Sequence, residues 1–338
     1  MSAEFPRIPT PKRQVKEKNQ ILVPMTEEGS FRDSPDVQKN SSEYQKKKEE
    51  FFGVLDQYTV ELRDEQTALL MTVREGVEVV LKKHGVLREM EDVIAHIHLV
   101  RPDFYKDCSR IMGENPMTDK EAKQIGGAYS SHFGEIVLTW KATETHSEFA
   151  TKAAHEVLHF FQIDNRKKGK GEDSLGQESL GMMLEGDGRM LFGNMLEATT
   201  QKLTMEAIRD IQDPVIVEER RKLKELFGKG PEEGYFMGYQ VRGKFGYVHE
   251  YIPRIAYEAQ LKKFDEMMVE IYEKNKGQFQ STAEVFEVFV QAAYGGEKLP
   301  LARLIHRTYG VKSEVLKAIL KFFGKESPLR EAGKKWSE

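Results

Sequence analysis

The sequence predicts an α+β fold in which a small mixed or antiparallel sheet packs on one amphipathic helix. Two segments between residues 93 and 140 alternate apolar and polar side chains, as half-buried strands do. A capped helical segment follows from about 146 to 163. Beyond it, the three- and four-residue apolar spacing typical of helices continues to about residue 324. We therefore expect a mostly helical C-terminal region after the sheet.

The first 45 residues combine Pro, Lys, Glu, Ser and Asn with few large apolar side chains. Such a composition cannot offset the entropy of ordering, so we expect a flexible tail. From there to about residue 90, apolar residues recur at helical spacing and predict two helices. Gly85 would end the second helix, and His84 would act as a cation at its negative end.

The predicted strands lie in "VIAHIHLV", residues 93–100, and "GGAYSSHFGEIVLTW", residues 126–140, with Gly134 as a turn residue. His96 and His98 are two residues apart, so they would share one strand face. We interpret them as surface or core histidines in preference to metal ligands.

Composition excludes several functional classes. Fifty-one basic and 55 acidic residues give a net charge of −4, which argues against a general nucleic-acid binder. The N-terminus lacks the apolar segment of a signal peptide, and no run of about 18 apolar residues suggests a membrane span. The expectation is a soluble, cytoplasmic protein without a membrane partner. Because Cys108 is the only cysteine, any bound metal must use nitrogen and oxygen ligands.

The segment "TETHSEFATKAAHEVLHFFQ" predicts the helix that carries the chemistry. Thr145, followed three residues later by Glu148, is a capping box that marks the helix start. Apolar side chains cover one arc of this helix, and polar side chains gather on the other. The polar stripe consists of Lys152, His155, Glu156, His159 and Gln162.

His155, Glu156 and His159 form an HExxH motif on this helix. Residues four apart stand one above the other, so both imidazoles can direct a nitrogen at one zinc ion. Glu156 is rotated by about 100° from His155 and can reach a water bound to that ion as a general base. With nine histidines in 338 residues, the motif rarely arises by chance. The sequence thus predicts a Zn²⁺ site.

A third ligand must come from outside this helix, because the HExxHxxGxxH continuation is absent. Ser174 and Gln177 form a second capping box and predict a helix that contains "LEGDGRML". Three glycines in that helix would each cost about 1 kcal/mol relative to alanine, which close approach to the zinc helix would offset.

With HExxH at 155–159 and the "EG" of Glu185 and Gly186, the chain resembles the gluzincin class of zinc metallopeptidases, in particular its peptidase-MA-like members. The resemblance covers about residues 125–255, and Gly188 stands where that pattern usually has alanine. It implies a zincin-like fold with Glu185 as the third zinc ligand on the second helix. Glu178 and Asp187 remain the alternatives for this ligand.

The same resemblance implies a strand that precedes the zinc helix and pairs with an extended substrate, in "GGAY" or "GEIVLTW". It also implies a hydrogen-bond donor that stabilises the oxyanion. Related families show a Tyr-x-x-Gly helix start after the glutamate helix, which Tyr235 and Gly238 match. We expect Tyr235 to be this donor, with Tyr239 and His249 as rivals.

The expected organisation is a tail over 1–45 and a second part over 46–165 with the N-terminal helices, sheet and HExxH helix. A helical subdomain with the glutamate ligand would span 166–325, and a flexible tail 326–338. The predicted function is a zinc metallopeptidase that hydrolyses a peptide or protein substrate; the sequence does not indicate its oligomeric state. One alternative is a zincin-fold binding or regulatory protein without hydrolytic activity. The other is a helical interaction protein whose motif is accidental.

Overall fold

A computed structural model gives the fold for the greater part of the chain. The residues that it describes are 35–86, 93–111, 117–122, 125–130, 133–140, 144–162, 184–186, 189–191, 193–242, 248–295 and 298–310. Residues 1–47 and 48–338 form two units. The described part of the first unit is helical, and the fold below is that of the second.

Helices make up most of the described chain. They are α1 (Pro35–Tyr58), α2 (Asp64–Lys83), α3 (Phe104–Ile111), α4 (Asp119–Ala122), α5 (His146–Phe160), α6 (Gly193–Asp210), α7 (Pro214–Phe227), α8 (Glu258–Lys274), α9 (Thr282–Val290) and α10 (Lys298–Tyr309). The strands are β1 (Thr59–Val60), β2 (Ile97–Val100), β3 (Gly127–Ser130), β4 (Glu135–Thr139), β5 (Leu184–Gly186), β6 (Arg189–Leu191), β7 (Phe236–Arg242) and β8 (Val248–Arg254). The α+β class expected from the sequence is confirmed.

The main sheet has the order β1-β2-β4-β3. Strands β2 and β4 run parallel, and the other two pairs are antiparallel, so the sheet is small and mixed as predicted. Strand β3 lies at its edge, with Tyr129 opposite Ile136 of β4. The positive φ of Gly134, 72°, allows the tight turn between these two strands.

The two faces of this sheet bury different sets of side chains, because successive residues of a strand point to opposite sides. Ile136 and Leu138 of β4 belong to a large core with helices α2, α5, α6, α8 and α9. Val137, between them in sequence, faces the other way and packs with Phe51 of α1 and Phe104 of α3. The sheet therefore separates a small helical layer from the large one that contains α5.

The two predicted N-terminal helices are confirmed as α1 and α2. Helix α2 ends at His84, and Gly85 follows with φ 72°. Helix α1 already begins at Pro35, inside the segment expected to be a tail. The remainder of that segment and the expected tail 326–338 lie outside the described residues.

Two regions expected to be helical contain hairpins instead. Strands β5 and β6 occupy 184–186 and 189–191, in a segment whose glycines disfavour a helix, and β7 and β8 occupy 236–242 and 248–254. The second hairpin is rich in Tyr, Phe and Val, which favour strands, and glycines separate its two halves. Tyr235 therefore precedes a strand, and the predicted Tyr-x-x-Gly helix start is wrong.

One smaller expectation also needs correction. His96 does not share a strand face with His98, because His96 ends the 3-10 turn Val93–His96 and His98 lies in β2. Both imidazoles approach Glu135 of β4, at 3.6 and 2.7 Å.

Among the described helices, none is both long and apolar enough to cross a membrane.

Candidate metal centre

Helix α5 is fixed at its N-terminus by two sets of hydrogen bonds. The predicted capping box is present, since Thr145 Oγ1 accepts from the Glu148 N–H at 3.0 Å and the Glu148 carboxylate accepts from the Thr145 N–H at 3.4 Å. Glu219 of α7 accepts hydrogen bonds from the backbone N–H groups of His146 and Ser147. These contacts satisfy N–H groups that have no partner inside the helix. They set the position from which α5 presents its histidines.

His155 and His159 are buried where α5 packs against α6, and Glu197 of α6 meets them there. The two Nε2 atoms are 3.0 Å apart. Glu197 Oε2 lies 3.1 Å from His155 Nε2 and 3.5 Å from His159 Nε2. Within the described residues, this triad is the group of His, Cys, Asp and Glu side chains that could hold a metal ion.

The spacing of these three atoms suits zinc. Ligand atoms 2.0–2.1 Å from a tetrahedral zinc ion lie about 3.3 Å from each other. The observed separations of 3.0, 3.1 and 3.5 Å bracket that value. Two imidazoles and one carboxylate are also a donor set found in catalytic zinc sites that keep a position open for water.

A second layer of polar side chains orients the histidines. Gln201, one turn after Glu197 on α6, accepts a hydrogen bond from His155 Nδ1 at 3.1 Å. Because the proton is then on Nδ1, the lone pair of Nε2 is available to a cation. Beside His159, Gln162 Nε2 donates to Thr200 Oγ1 at 2.9 Å, and the Tyr294 hydroxyl lies 3.0 Å from the same oxygen.

Electrostatics mark the triad as a site for positive charge. Burial disfavours an imidazolium, but the carboxylates of Glu197 and Glu156 outweigh this effect and raise the pKa of His159 to about 9. Without a metal ion, the protonated form of the His159 imidazole is therefore favoured. A divalent cation would take the place of that proton.

Glu156 lies between α5 and the edge strand β3. The backbone N–H of Tyr129 in β3 donates to its carboxylate, and burial raises the pKa of Glu156 despite the nearby imidazoles. Gly127 permits this close approach, since a Cβ at that position would lie 3.0 Å from Glu156 Cγ. The carboxylate is thus held beside the triad without belonging to it.

Tyr257, which sequence analysis missed, completes the surroundings of the triad. Its ring stacks on that of His155, with centroids 5.3 Å apart and an interplanar angle of 11°. Its hydroxyl hydrogen-bonds to Glu197. No sequence pattern singled it out, because the hairpin that delivers Tyr257 was expected to be a helix.

The structure brings together some of the predicted site residues and leaves the side chains of others undescribed. His155, His159 and Glu156 lie together, whereas Glu185 lies in strand β5 and its side chain is outside the described part of the chain. Glu178 and Asp187 are also outside it. The acidic group found with the histidines is Glu197, which is on a second helix but not the predicted one.

A signal for Glu197 was present in the sequence. Glu197, Gln201 and Thr204 follow a spacing of four and three, which puts them on one face of α6. Polar residues in that pattern, on a helix whose other side chains include Leu196, Leu203 and Ile208, indicate a buried polar function.

The candidates for oxyanion stabilisation stay predictions. Tyr235 lies beneath the Lys229 ammonium, which is 4.9 Å from its ring centroid. The Tyr239 ring contacts that of Tyr251, 5.7 Å away between centroids. The side chain of His249, in β8, is outside the described residues.

No protein-family model, curated protein or solved structure that was compared with the chain matches it. The function is therefore inferred from the chemistry of the site.

Proposed function

We propose that the protein is a zinc-dependent metallopeptidase of the gluzincin type. The observation that carries this proposal is the convergence of His155, His159 and Glu197 at zinc-ligand spacing, with Glu156 held beside them. In this proposal the HExxH motif would supply two of the ligands and the base. Glu197 takes the role that sequence analysis gave to Glu185.

The residues divide the chemistry between them. When bound, zinc would polarise a water molecule and the scissile carbonyl group. His155, His159 and Glu197 would hold the ion, and Gln201 fixes the tautomer that His155 needs. Glu156 would accept a proton from the attacking water and deliver it to the leaving amine. Its raised pKa suits both steps, because the group must gain a proton and release it again.

Edge strand β3 supports peptide as the substrate class. Its position at the edge of the sheet, directly over Glu156, allows an extended peptide to pair with its backbone. Such pairing would bring a scissile bond to the glutamate and the metal. Of the two strands considered from the sequence, this geometry favours "GGAY".

The test compares Glu156→Gln with Glu148→Gln, which makes the same change on the same helix. Glutamine retains a capping function at position 148, so that control should fold and cleave peptides. Glu156→Gln should bind zinc like the wild type but lose about 10²- to 10⁴-fold in turnover. Cleavage of a peptide library, followed by mass spectrometry, and elemental analysis measure the two properties.

Two outcomes would count against the proposal. Undiminished cleavage by Glu156→Gln would show that Glu156 is not the base. Stoichiometric zinc without any cleavage by the wild type would favour the alternative of a zincin-fold binding or regulatory protein.

A further inference from the structure

Tyr257 has a backbone conformation that its residue type disfavours. It lies immediately before α8 with φ 57° and ψ 33°, in the left-handed region. Within the described chain it is the one non-glycine residue with positive φ. Bulky side chains rarely adopt this conformation, because Cβ crowds the backbone.

The local role of the residue does not explain this conformation. Residue 257 is the N-cap of α8, a position where Ser, Thr, Asp or Asn would accept a hydrogen bond from the helix. Tyr257 makes no such side-chain bond. Glycine would adopt the same φ without strain. The gain from a tyrosine must therefore come from where its side chain lies.

That side chain connects ligands from two different helices. The ring is parallel to that of His155, from α5, and the hydroxyl hydrogen-bonds to Glu197, from α6. Because a carboxylate accepts hydrogen bonds, the Tyr257 hydroxyl is the donor to Glu197.

We propose that Tyr257 is a positioning residue of the metal centre, which holds the His155 imidazole through its ring and the Glu197 carboxylate through its hydroxyl. This inference rests on the proposed metal site. Groups that orient metal ligands restrict the conformations of those ligand side chains before the metal ion binds. Loss of such groups weakens metal affinity. The left-handed backbone at residue 257 directs the side chain to both ligands.

The chain offers a matched control for the hydroxyl. The hydroxyl of Tyr309, a buried residue of α10, donates to Glu270 Oε2 of α8 at 3.0 Å. Tyr257→Phe and Tyr309→Phe therefore each remove one hydrogen bond between tyrosine and glutamate. Only the first of these bonds involves a residue of the triad.

The experiment measures zinc affinity by competition with a chelator and the absorption spectrum of the Co²⁺-substituted protein. Tyr257→Phe should raise the zinc dissociation constant about 10- to 100-fold and alter the Co²⁺ spectrum. Tyr257→Gly, which relieves the backbone but also removes the ring, should raise that constant further. Tyr309→Phe should leave both the affinity and the spectrum unchanged.

Equal zinc affinity and equal Co²⁺ spectra for wild type and Tyr257→Phe would overturn the inference and leave the metal site intact. An equal loss of affinity in Tyr309→Phe would also overturn it, because the effect would then be general destabilisation. A wild-type protein that binds no stoichiometric zinc would instead overturn the proposed function, and the inference with it.

Discussion

At the scale of single residues, the site depends on how closely β3 approaches α5. Gly127 faces both the Leu138 side chain and Glu156, and Tyr129 donates its backbone N–H to the same carboxylate. The strand thus holds Glu156 in two ways: Gly127 lets it approach closely, and the Tyr129 N–H donates a hydrogen bond to the carboxylate. The carboxylate proposed as the base is held in this way beside the candidate metal ligands.

We predict that Gly127→Ala lowers activity more than it lowers zinc binding. The new Cβ would lie 2.8 Å from Leu138 Cδ2 and 3.0 Å from Glu156 Cγ, so one of these neighbours must move. The strain should cost about 1–3 kcal/mol in the free energy of unfolding, measured by urea denaturation. Gly53→Ala, at an open position on α1, is the control and should be neutral or stabilising. Unchanged stability and activity in Gly127→Ala would show that β3 does not constrain Glu156.

At the scale of elements, buried polar groups hold the helices that carry the ligands. Glu219 of α7 is 9% exposed and accepts bonds from the start of α5, including one from the Ser147 N–H at 2.7 Å. A carboxylate at this position also interacts favourably with the positive end of the helix dipole. Helix α7 therefore holds the N-terminus of the helix that carries both histidines.

Removal of this carboxylate should destabilise the fold. Glu219→Ala leaves the buried N–H and hydroxyl of Ser147 and the partly buried N–H of His146 without their acceptor, at a cost of about 1–3 kcal/mol. Its neighbour Glu218 pairs with Arg221 at the surface, where solvent screens the ion pair, so Glu218→Ala should cost much less. Thermal and urea unfolding of the two variants measure the difference, and equal costs would refute the assignment.

His84 connects three helices and makes stability depend on pH. It ends α2, its Nδ1 lies 2.7 Å from Glu287 of α9 and its Nε2 lies 3.3 Å from Glu206 of α6. Lys83 also pairs with Glu206, at 2.7 Å. Burial opposes the charge on His84, but the two carboxylates outweigh it and raise its pKa above the ordinary value. His84, which was expected to act as a cation at the helix end, thus has two specific partners, Glu206 and Glu287.

The raised pKa of His84 in the folded state determines whether stability rises or falls with pH. The stabilisation from protonated His84 is complete below its unfolded pKa, about 6.5, and is lost as the pH rises through the folded value. The free energy of unfolding of wild type minus that of His84→Gln should therefore fall as the pH is raised from about 6. His306→Gln, at an exposed position on α10, is the control and should show no such trend. A difference that is constant or rises with pH would contradict this account.

At the scale of the whole molecule, the candidate site forms where parts distant in sequence meet. Helix α5 supplies two histidines and Glu156, α6 supplies Glu197, and Tyr257 stands immediately before α8. The sheet lies against α5 and presents its edge strand to Glu156. The complete site therefore requires all of these elements to pack together.

Sequence reasoning recovered the local parts of this arrangement. The capping box at Thr145, the HExxH spacing, the end of α2 at Gly85 and the small mixed sheet all follow from short-range patterns. Such patterns act within one turn of helix or along one strand.

The parts that sequence reasoning did not recover depend on tertiary contacts. Glu185 was chosen from the resemblance to a glutamate-glycine motif, and that choice stays a prediction because its side chain lies outside the described residues. Glu197, which was not chosen, meets the histidines because α6 packs against α5. The β7–β8 hairpin was read as helical because its aromatic residues also satisfy helical spacing. Tyr257, which follows this hairpin, could be assigned to the site only from the three-dimensional structure.

The most direct test of the central claim is the zinc content of the purified protein by elemental analysis, for wild type, Glu197→Ala and Glu185→Ala. The account predicts about one zinc per chain in the wild type and in Glu185→Ala, and little or none in Glu197→Ala. Zinc retained by Glu197→Ala and lost from Glu185→Ala would contradict it.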